Sequence, residues 1–126
     1  KKGKKIAFLN LGTRLNRVLE INDLIKKNHK LDCSVIDMRF AKPIDTKLIR
    51  KLTVSHDLFV TIEENAIGGF SSQVNDFLIN KLDKTPKIQN FFMKDEFIDQ
   101  SDIEDQYIKS GIAPKIIYNK LIKFLE

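Results

Sequence analysis

The chain has 126 residues, of which 42% are hydrophobic and 31% charged, and this length and balance are typical of one folded domain with its own core. Its apolar runs fall far short of the roughly 20 residues that span a bilayer, and no secretory segment follows the basic start, so we expect neither a membrane partner nor export. Cys33 is the only cysteine, which excludes an intrachain disulfide and a cysteine zinc cluster, favours a reducing compartment and leads us to predict a cytoplasmic location.

The net charge of +5 comes almost entirely from the first residues of the chain. Four lysines, Lys1, Lys2, Lys4 and Lys5, supply most of it, and the basic residues that follow are interleaved with acidic ones. Nucleic-acid-binding domains instead cluster their basic side chains on one face. We therefore expect no nucleic-acid partner.

The first part of the chain predicts two strands and two helices. Residues 6–11 form a short apolar run ended by Gly12, as expected of a strand buried on both faces. Thr13 is expected to cap a helix that runs to about residue 28. Residues 33–38 form the second predicted strand, and Asp45 is expected to cap the second helix.

The middle of the chain continues the alternation of strands with helices. Residues 58–62 form the third predicted strand, a third helix starts near Ser71 or Ser72, and residues 87–93 form the fourth predicted strand. This order predicts an α/β fold of three layers, in which helices cover both faces of a mainly parallel sheet.

The last part of the chain predicts two short helices. Ser101 and Glu104 have the spacing of a capping box and open the first helix, which Gly111 ends. Pro114 is expected in the first turn of the last helix. Its predicted buried face consists of Ile112, Ile116, Ile117, Leu121 and Phe124.

The most suggestive turn is Gly68-Gly69, which lies between a strand and a helix, where phosphates are often bound. It matches neither the dinucleotide nor the P-loop glycine pattern, and the carboxylates of Glu63 and Glu64 just before it would repel a phosphate. A tight turn that packs helix against strand is the stronger interpretation. Since adjacent strand residues point to opposite sides, we expect only one glutamate to face any site or interface, and the other to be solvated or paired with a basic residue.

Other reactive side chains are isolated in the sequence. His29 and His56 both follow predicted helices, where a cationic side chain is favourable, and they lack metal-ligand spacing. Cys33 lies in an apolar strand and is expected to be a buried core thiol. We therefore predict no catalytic and no metal-binding residue in this chain.

Residues 37–45 form the most distinctive segment, Asp-Met-Arg-Phe-Ala-Lys-Pro-Ile-Asp. Strand alternation places Asp37 and Arg39 on the same side, so they are expected to pair with each other or to reach across a subunit boundary. In a parallel sheet this segment and residues 63–69 emerge at the same carboxyl edge, where such sheets commonly bind ligands or partners.

Residues 37–45 resemble a signature of the 1-deoxy-D-xylulose-5-phosphate synthases, and residues 60–70 resemble a second one. Gly12-Thr13 after the first strand and residues 95–98 after the fourth also fit in order and spacing. The glutamate and glycine turn is similar to that of transketolases and 2-oxo-acid dehydrogenase beta subunits, whereas the Arg-Phe-x-Lys-Pro-x-Asp segment favours the synthases.

The resemblance covers essentially the whole chain, residues 1–126, but only the third, C-terminal domain of that three-domain enzyme. It implies a transketolase C-terminal domain fold, whose antiparallel edge strand would lie mostly before Lys1. We therefore expect four parallel strands in the order 2-1-3-4, with residues 1–5 as the remnant of a hairpin.

The enzyme that this chain resembles condenses pyruvate with glyceraldehyde 3-phosphate and releases carbon dioxide, in a step that feeds isoprenoid, thiamine and pyridoxal synthesis. Its thiamine diphosphate and Mg²⁺ are bound by the two earlier domains, so the resemblance implies no cofactor-binding residue here. It implies instead an interface domain that contacts those domains and a second subunit of a homodimer. The interface candidates are Asp37, Arg39, Lys42, Glu63, Glu64, Gly68 and Gly69.

Two alternatives remain open at this point. The chain could be a stand-alone α/β module that binds a small ligand at the Gly12 and Glu63-Glu64 loops. It could also be the C-terminal domain of a related transketolase or of a 2-oxo-acid dehydrogenase beta subunit.

Overall fold

A computed structural model describes residues 5–65, 67–94 and 100–125. Their four strands form one parallel sheet in the order β2-β1-β3-β4, which confirms the predicted order. The strands are β1 (Lys5–Leu11), β2 (Ser34–Asp37), β3 (His56–Glu63) and β4 (Lys87–Phe91). The strands β1 and β3 each have a neighbour on both sides, which explains why their sequences are almost continuously apolar.

In the described part of the chain, five helices accompany the sheet and bury both of its faces. They are α1 (Leu15–His29), α2 (Thr46–Thr53), α3 (Phe70–Lys81), α4 (Ile103–Ser110) and α5 (Pro114–Ile122). On one face α1 and α5 pack over a core that contains Phe8 and Val60, and on the other α2 and α3 pack over Leu9 and Phe59. The predicted three-layer arrangement is therefore confirmed. No helix within the described ranges is long and apolar enough to cross a membrane.

Several predicted boundaries are confirmed and others are wrong by a few residues. Asp45 caps α2, its side chain accepting a hydrogen bond from the amide of Leu48 at 2.9 Å. Gly111 ends α4 in the left-handed conformation, and Pro114 opens α5. The strands β2 and β4 are shorter than predicted, and α3 begins at Phe70.

Two predicted helix caps are wrong, because in each helix the residue after the predicted cap occupies the N-cap position. The N-cap residue of α1 is Arg14, and the Thr13 hydroxyl instead donates to Glu64. The N-cap residue of α4 is Asp102 rather than Ser101. Phe124, predicted to be buried, follows the end of α5 and is 44% exposed. The segment 95–98 and the hairpin remnant before Lys5 lie outside the described residues.

Candidate functional site at the carboxyl edge of the sheet

Glu63 ends β3 and caps the helix that follows it. The side chain is fully buried, and its two carboxylate oxygens accept hydrogen bonds from the backbone amides of Phe70 at 2.9 Å and Ser71 at 2.5 Å. The N-cap residue of α3, Gly69, has no side chain to do this. A carboxylate at a helix N-terminus is favoured both by the free N–H groups and by the helix dipole. Glu63 therefore joins β3 to α3 inside this domain.

The two glycines of the turn are required for different reasons. Gly68 has φ +101°, a conformation that side chains rarely adopt. Gly69 has an ordinary φ, but a Cβ at that position would collide with Oε1 of Glu63. The predicted tight turn is therefore present. Because Glu63 already occupies the end of α3 with negative charge, this turn does not fit a diphosphate.

Glu64 points to the opposite side from Glu63, as the alternation of strand residues predicts. It is half-buried, and its Oε1 accepts hydrogen bonds from the hydroxyls of Thr13 at 2.9 Å and Tyr107 at 3.0 Å. The expected solvation or basic partner is replaced by these two hydroxyls. Glu64 thereby links the end of β1 to α4.

The segment after β2 carries an exposed charge pair. The backbone amide of Arg39 donates to Oδ1 of Asp37 at 3.3 Å, and Nε of Arg39 lies 4.0 Å from Oδ2. The Arg39 side chain is nevertheless 78% exposed, and Lys42 is exposed as well. Of the two predicted alternatives, the pairing of Asp37 with Arg39 is present, and it leaves most of the Arg39 side chain exposed.

Two large apolar side chains lie exposed on loops at this edge of the sheet, and the sequence reading did not single them out. Phe40 is 68% exposed after β2, and Ile67 is 66% exposed after β3. Both lie on loops that lead to the helices of the same face, α2 and α3. We call Arg39, Phe40, Lys42 and Ile67 the carboxyl-edge surface. The signal was available, since both apolar residues lie outside any predicted buried face.

A third residue missed by sequence reasoning is Arg14, which is only 2% exposed. Its Nη2 donates to the backbone oxygen of Ile112 at 2.8 Å, and its guanidinium carbon lies 3.5 Å from the centre of the Tyr107 ring. Both contacts come from the far end of the chain, so no local pattern could have found them.

His56 and Cys33 are buried side chains with contacts inside the domain. His56 is buried, with Nε2 2.8 Å from the Ser34 hydroxyl and Nδ1 2.9 Å from the Leu52 oxygen. Cys33 is fully buried, as predicted. Within the described ranges no three His, Cys, Asp or Glu side chains group as metal ligands.

Comparisons of the sequence place it among known proteins. It matches the family described as transketolase, C-terminal domain, over residues 1–117. A probable 1-deoxy-D-xylulose-5-phosphate synthase 2, chloroplastic, of Oryza sativa subsp. japonica is 35% identical over 125 residues, which cover 98% of this chain and 17% of that protein. A 1-deoxy-D-xylulose-5-phosphate synthase of Haemophilus influenzae is 37% identical over 125 residues, which cover 99% of this chain and 19% of that protein. The chain thus spans less than a fifth of the length of these relatives.

Solved structures share the fold. A split-gene transketolase, described as an inactive β4 tetramer, has a TM-score of 0.87 at 26% identity over 99% of this chain and 40% of its own. The transketolase of Campylobacter jejuni has a TM-score of 0.61 at 15% identity over 98% of this chain and 17% of its own. The predicted resemblance is confirmed at this level, and the chain belongs to the transketolase C-terminal domain family.

Proposed function

We propose that this chain is the C-terminal interface domain of a 1-deoxy-D-xylulose-5-phosphate synthase. The observation that carries the proposal is the 35–37% identity to such synthases along nearly the whole chain. The Arg-Phe-x-Lys-Pro-x-Asp segment, which favours the synthases over transketolases, forms the exposed loop after β2. The complete enzyme would join pyruvate to glyceraldehyde 3-phosphate with loss of carbon dioxide.

In this proposal the catalytic groups belong to two earlier domains. Those domains would bind thiamine diphosphate and Mg²⁺, which supply the carbanion chemistry of the reaction. The Gly68-Gly69 turn does not fit the diphosphate, because Glu63 holds the end of α3. The isolated chain is therefore expected to be inactive. The description of the similar split-gene transketolase tetramer as inactive supports this expectation.

The role left to this domain is assembly. The carboxyl-edge surface combines the Phe40 and Ile67 side chains, 68% and 66% exposed, with the accessible guanidinium of Arg39. Exposed aromatic and arginine side chains are enriched where protein surfaces associate. We propose that this surface contacts the earlier domains or the second subunit of a cytoplasmic homodimer.

A domain graft tests the proposed family function. The C-terminal domain of the Haemophilus influenzae synthase is replaced by this chain, and production of 1-deoxy-D-xylulose 5-phosphate is measured beside sedimentation. We expect a dimeric, active graft, whereas the same enzyme lacking its C-terminal domain loses dimer and turnover. An equivalent graft of the rice domain, which is 35% identical to this chain, controls for the junction.

The result that contradicts the proposal is a folded graft that stays inactive while the rice graft is active. A second experiment tests the expected inactivity of the isolated chain. Calorimetric titration with thiamine diphosphate and Mg²⁺ should give no saturable heat, and a site in the micromolar range would overturn the assignment of the cofactor to other domains.

A further inference from the structure

Arg14 is a buried cation with unused hydrogen-bond donors. The guanidinium has five N–H groups, and its recorded donation is from Nη2 to the Ile112 oxygen at 2.8 Å. Nε and Nη1 are shielded from solvent and have no hydrogen-bond partner within the described parts of the chain. Buried polar groups are nearly always hydrogen-bonded, and a buried charge without a partner is costly. This arrangement therefore points to an occupant that accepts hydrogen bonds.

The neighbours of Arg14 compensate its charge only in part. The Tyr107 ring lies 3.5 Å from the guanidinium carbon and provides a cation–π contact. The nearby carboxylate oxygen of Glu64 accepts from the hydroxyls of Thr13 and Tyr107 instead of from Arg14. A guanidinium has two edges with parallel N–H groups, one formed by Nε and Nη2 and the other by Nη1 and Nη2. Nη2 uses one of its two protons for the Ile112 oxygen, so one of these edges keeps both of its N–H groups free.

The start of α1 adds further donors at the same place. Arg14 is the N-cap residue of this 15-residue helix, and no side chain caps it. No acidic residue lies in the first turn, so no side-chain charge of that turn offsets the positive end of the helix dipole. Such a helix end binds anions when a suitable space lies beside it.

That space is a cavity of about 370 Å³ between α1 and α4, lined in part by Arg14, Asn16 and Tyr107. The acidic side chains on its wall, Glu20 and Glu104, are both paired with Arg17. The four charged side chains on the wall, Arg14, Arg17, Glu20 and Glu104, therefore sum to zero, and Arg14 is the one that forms no ion pair within the described residues. Its volume lies within the range of small-molecule sites.

We infer that Arg14 and the first turn of α1 form a binding site for a small oxyanion of the phosphate or carboxylate class. Two oxygens of the anion accept from the free edge of the guanidinium, and a third contact comes from the amides of α1. Because Nε and Nη1 are shielded from solvent, an anion reaches them only by displacing neighbouring side chains, among which the Tyr107 ring lies against the guanidinium. The site lies at the start of α1, which packs on one face of the sheet, whereas the carboxyl-edge surface leads to α2 and α3 on the other face.

The experiment is a titration of the ¹⁵N-labelled chain followed by NMR, with inorganic phosphate in one arm and acetate in the other, at constant ionic strength. We expect saturable shifts of the amides of residues 15–17, of the Arg14 Nε–H and of the Tyr107 ring. The arm that saturates at the lower concentration identifies the anion class.

Arg14→Met should weaken binding by about tenfold or more, since the bidentate donor is lost. Arg50→Met is the matched control: the Arg50 guanidinium also donates to a backbone oxygen, that of Lys81, and lies over an aromatic ring, that of Phe77, at another surface. It removes the same charge and should leave binding within about twofold. Arg14→Lys, which keeps the charge without the planar fork, tests the geometry if the methionine variant fails to fold.

Saturable shifts that are lost in Arg14→Met or Arg14→Lys and kept in Arg50→Met support the site. Equal weakening in all variants would assign the effect to net charge and overturn the inference. Absence of saturable shifts with both probes would also overturn it, because the guanidinium would then be satisfied by water or by a fixed group of another domain.

Discussion

The buried carboxylate of Glu63 allows a sharp prediction about stability. Glu63→Ala removes the acceptors for the amides of Phe70 and Ser71, both of which are buried. An unsatisfied buried amide costs about 1–3 kcal/mol, and loss of a helix cap typically costs about 1 kcal/mol. Because water can enter part of the vacated space, we expect the free energy of unfolding to fall by about 2–4 kcal/mol. Glu63→Gln keeps one acceptor oxygen and should cost about 1–2 kcal/mol.

The assay is equilibrium unfolding of the chain in urea, followed by circular dichroism. Glu64→Ala is the matched control, because Glu64 is the adjacent residue and also accepts two hydrogen bonds, but from hydroxyls at a half-buried position. Those hydroxyls can turn to water, so its cost should stay below about 1 kcal/mol. Equal losses for the two alanine variants, or a Glu63→Ala loss below about 0.5 kcal/mol, would refute the capping role.

Three further predictions use the same unfolding assay. Gly68→Val and Gly69→Val should each cost about 1–3 kcal/mol, the first through its positive φ and the second through collision with Glu63. In a Glu63→Ala background the cost of Gly69→Val should shrink while that of Gly68→Val persists; additivity at both positions would contradict this. Arg39→Ala should change stability by less than about 0.5 kcal/mol because its side chain is 78% exposed, and a loss above about 2 kcal/mol would place it in the domain's own folding network. Asp45→Ala should cost about 1 kcal/mol through loss of the cap on α2, which Asp45→Ser should largely restore.

Local patterns were sufficient for the order of elements. The apolar runs of β1 and β3 and the turn residues Asp45, Gly111 and Pro114 all act on their immediate neighbours in the chain. Strand alternation correctly separated Glu63 from Glu64. The parallel sheet followed because strands and helices alternate. The strand order itself came from the family resemblance.

Two of the failures have a common physical cause, which is contact with residues that are distant in the sequence. Thr13 is a good cap by type, yet Glu64, 51 residues away, takes its hydroxyl. The same distance hides Arg14, whose contacts with Tyr107 and Ile112 exist only after folding. The capping role of Glu63 was also missed, since the sequence alone did not show which of two adjacent carboxylates turns inward.

We propose above all that the carboxyl-edge surface is covered by the earlier domains or by the second subunit in the complete enzyme. Hydrogen exchange, measured by mass spectrometry on the isolated chain and on the dimeric graft, tests it most directly. We expect the amides of residues 39–42 and 67–69 to exchange more slowly in the graft. Peptides around Val54, which is 88% exposed at the opposite edge, should exchange at the same rate in both. Identical exchange of residues 39–42 and 67–69 in the two proteins would contradict the claim.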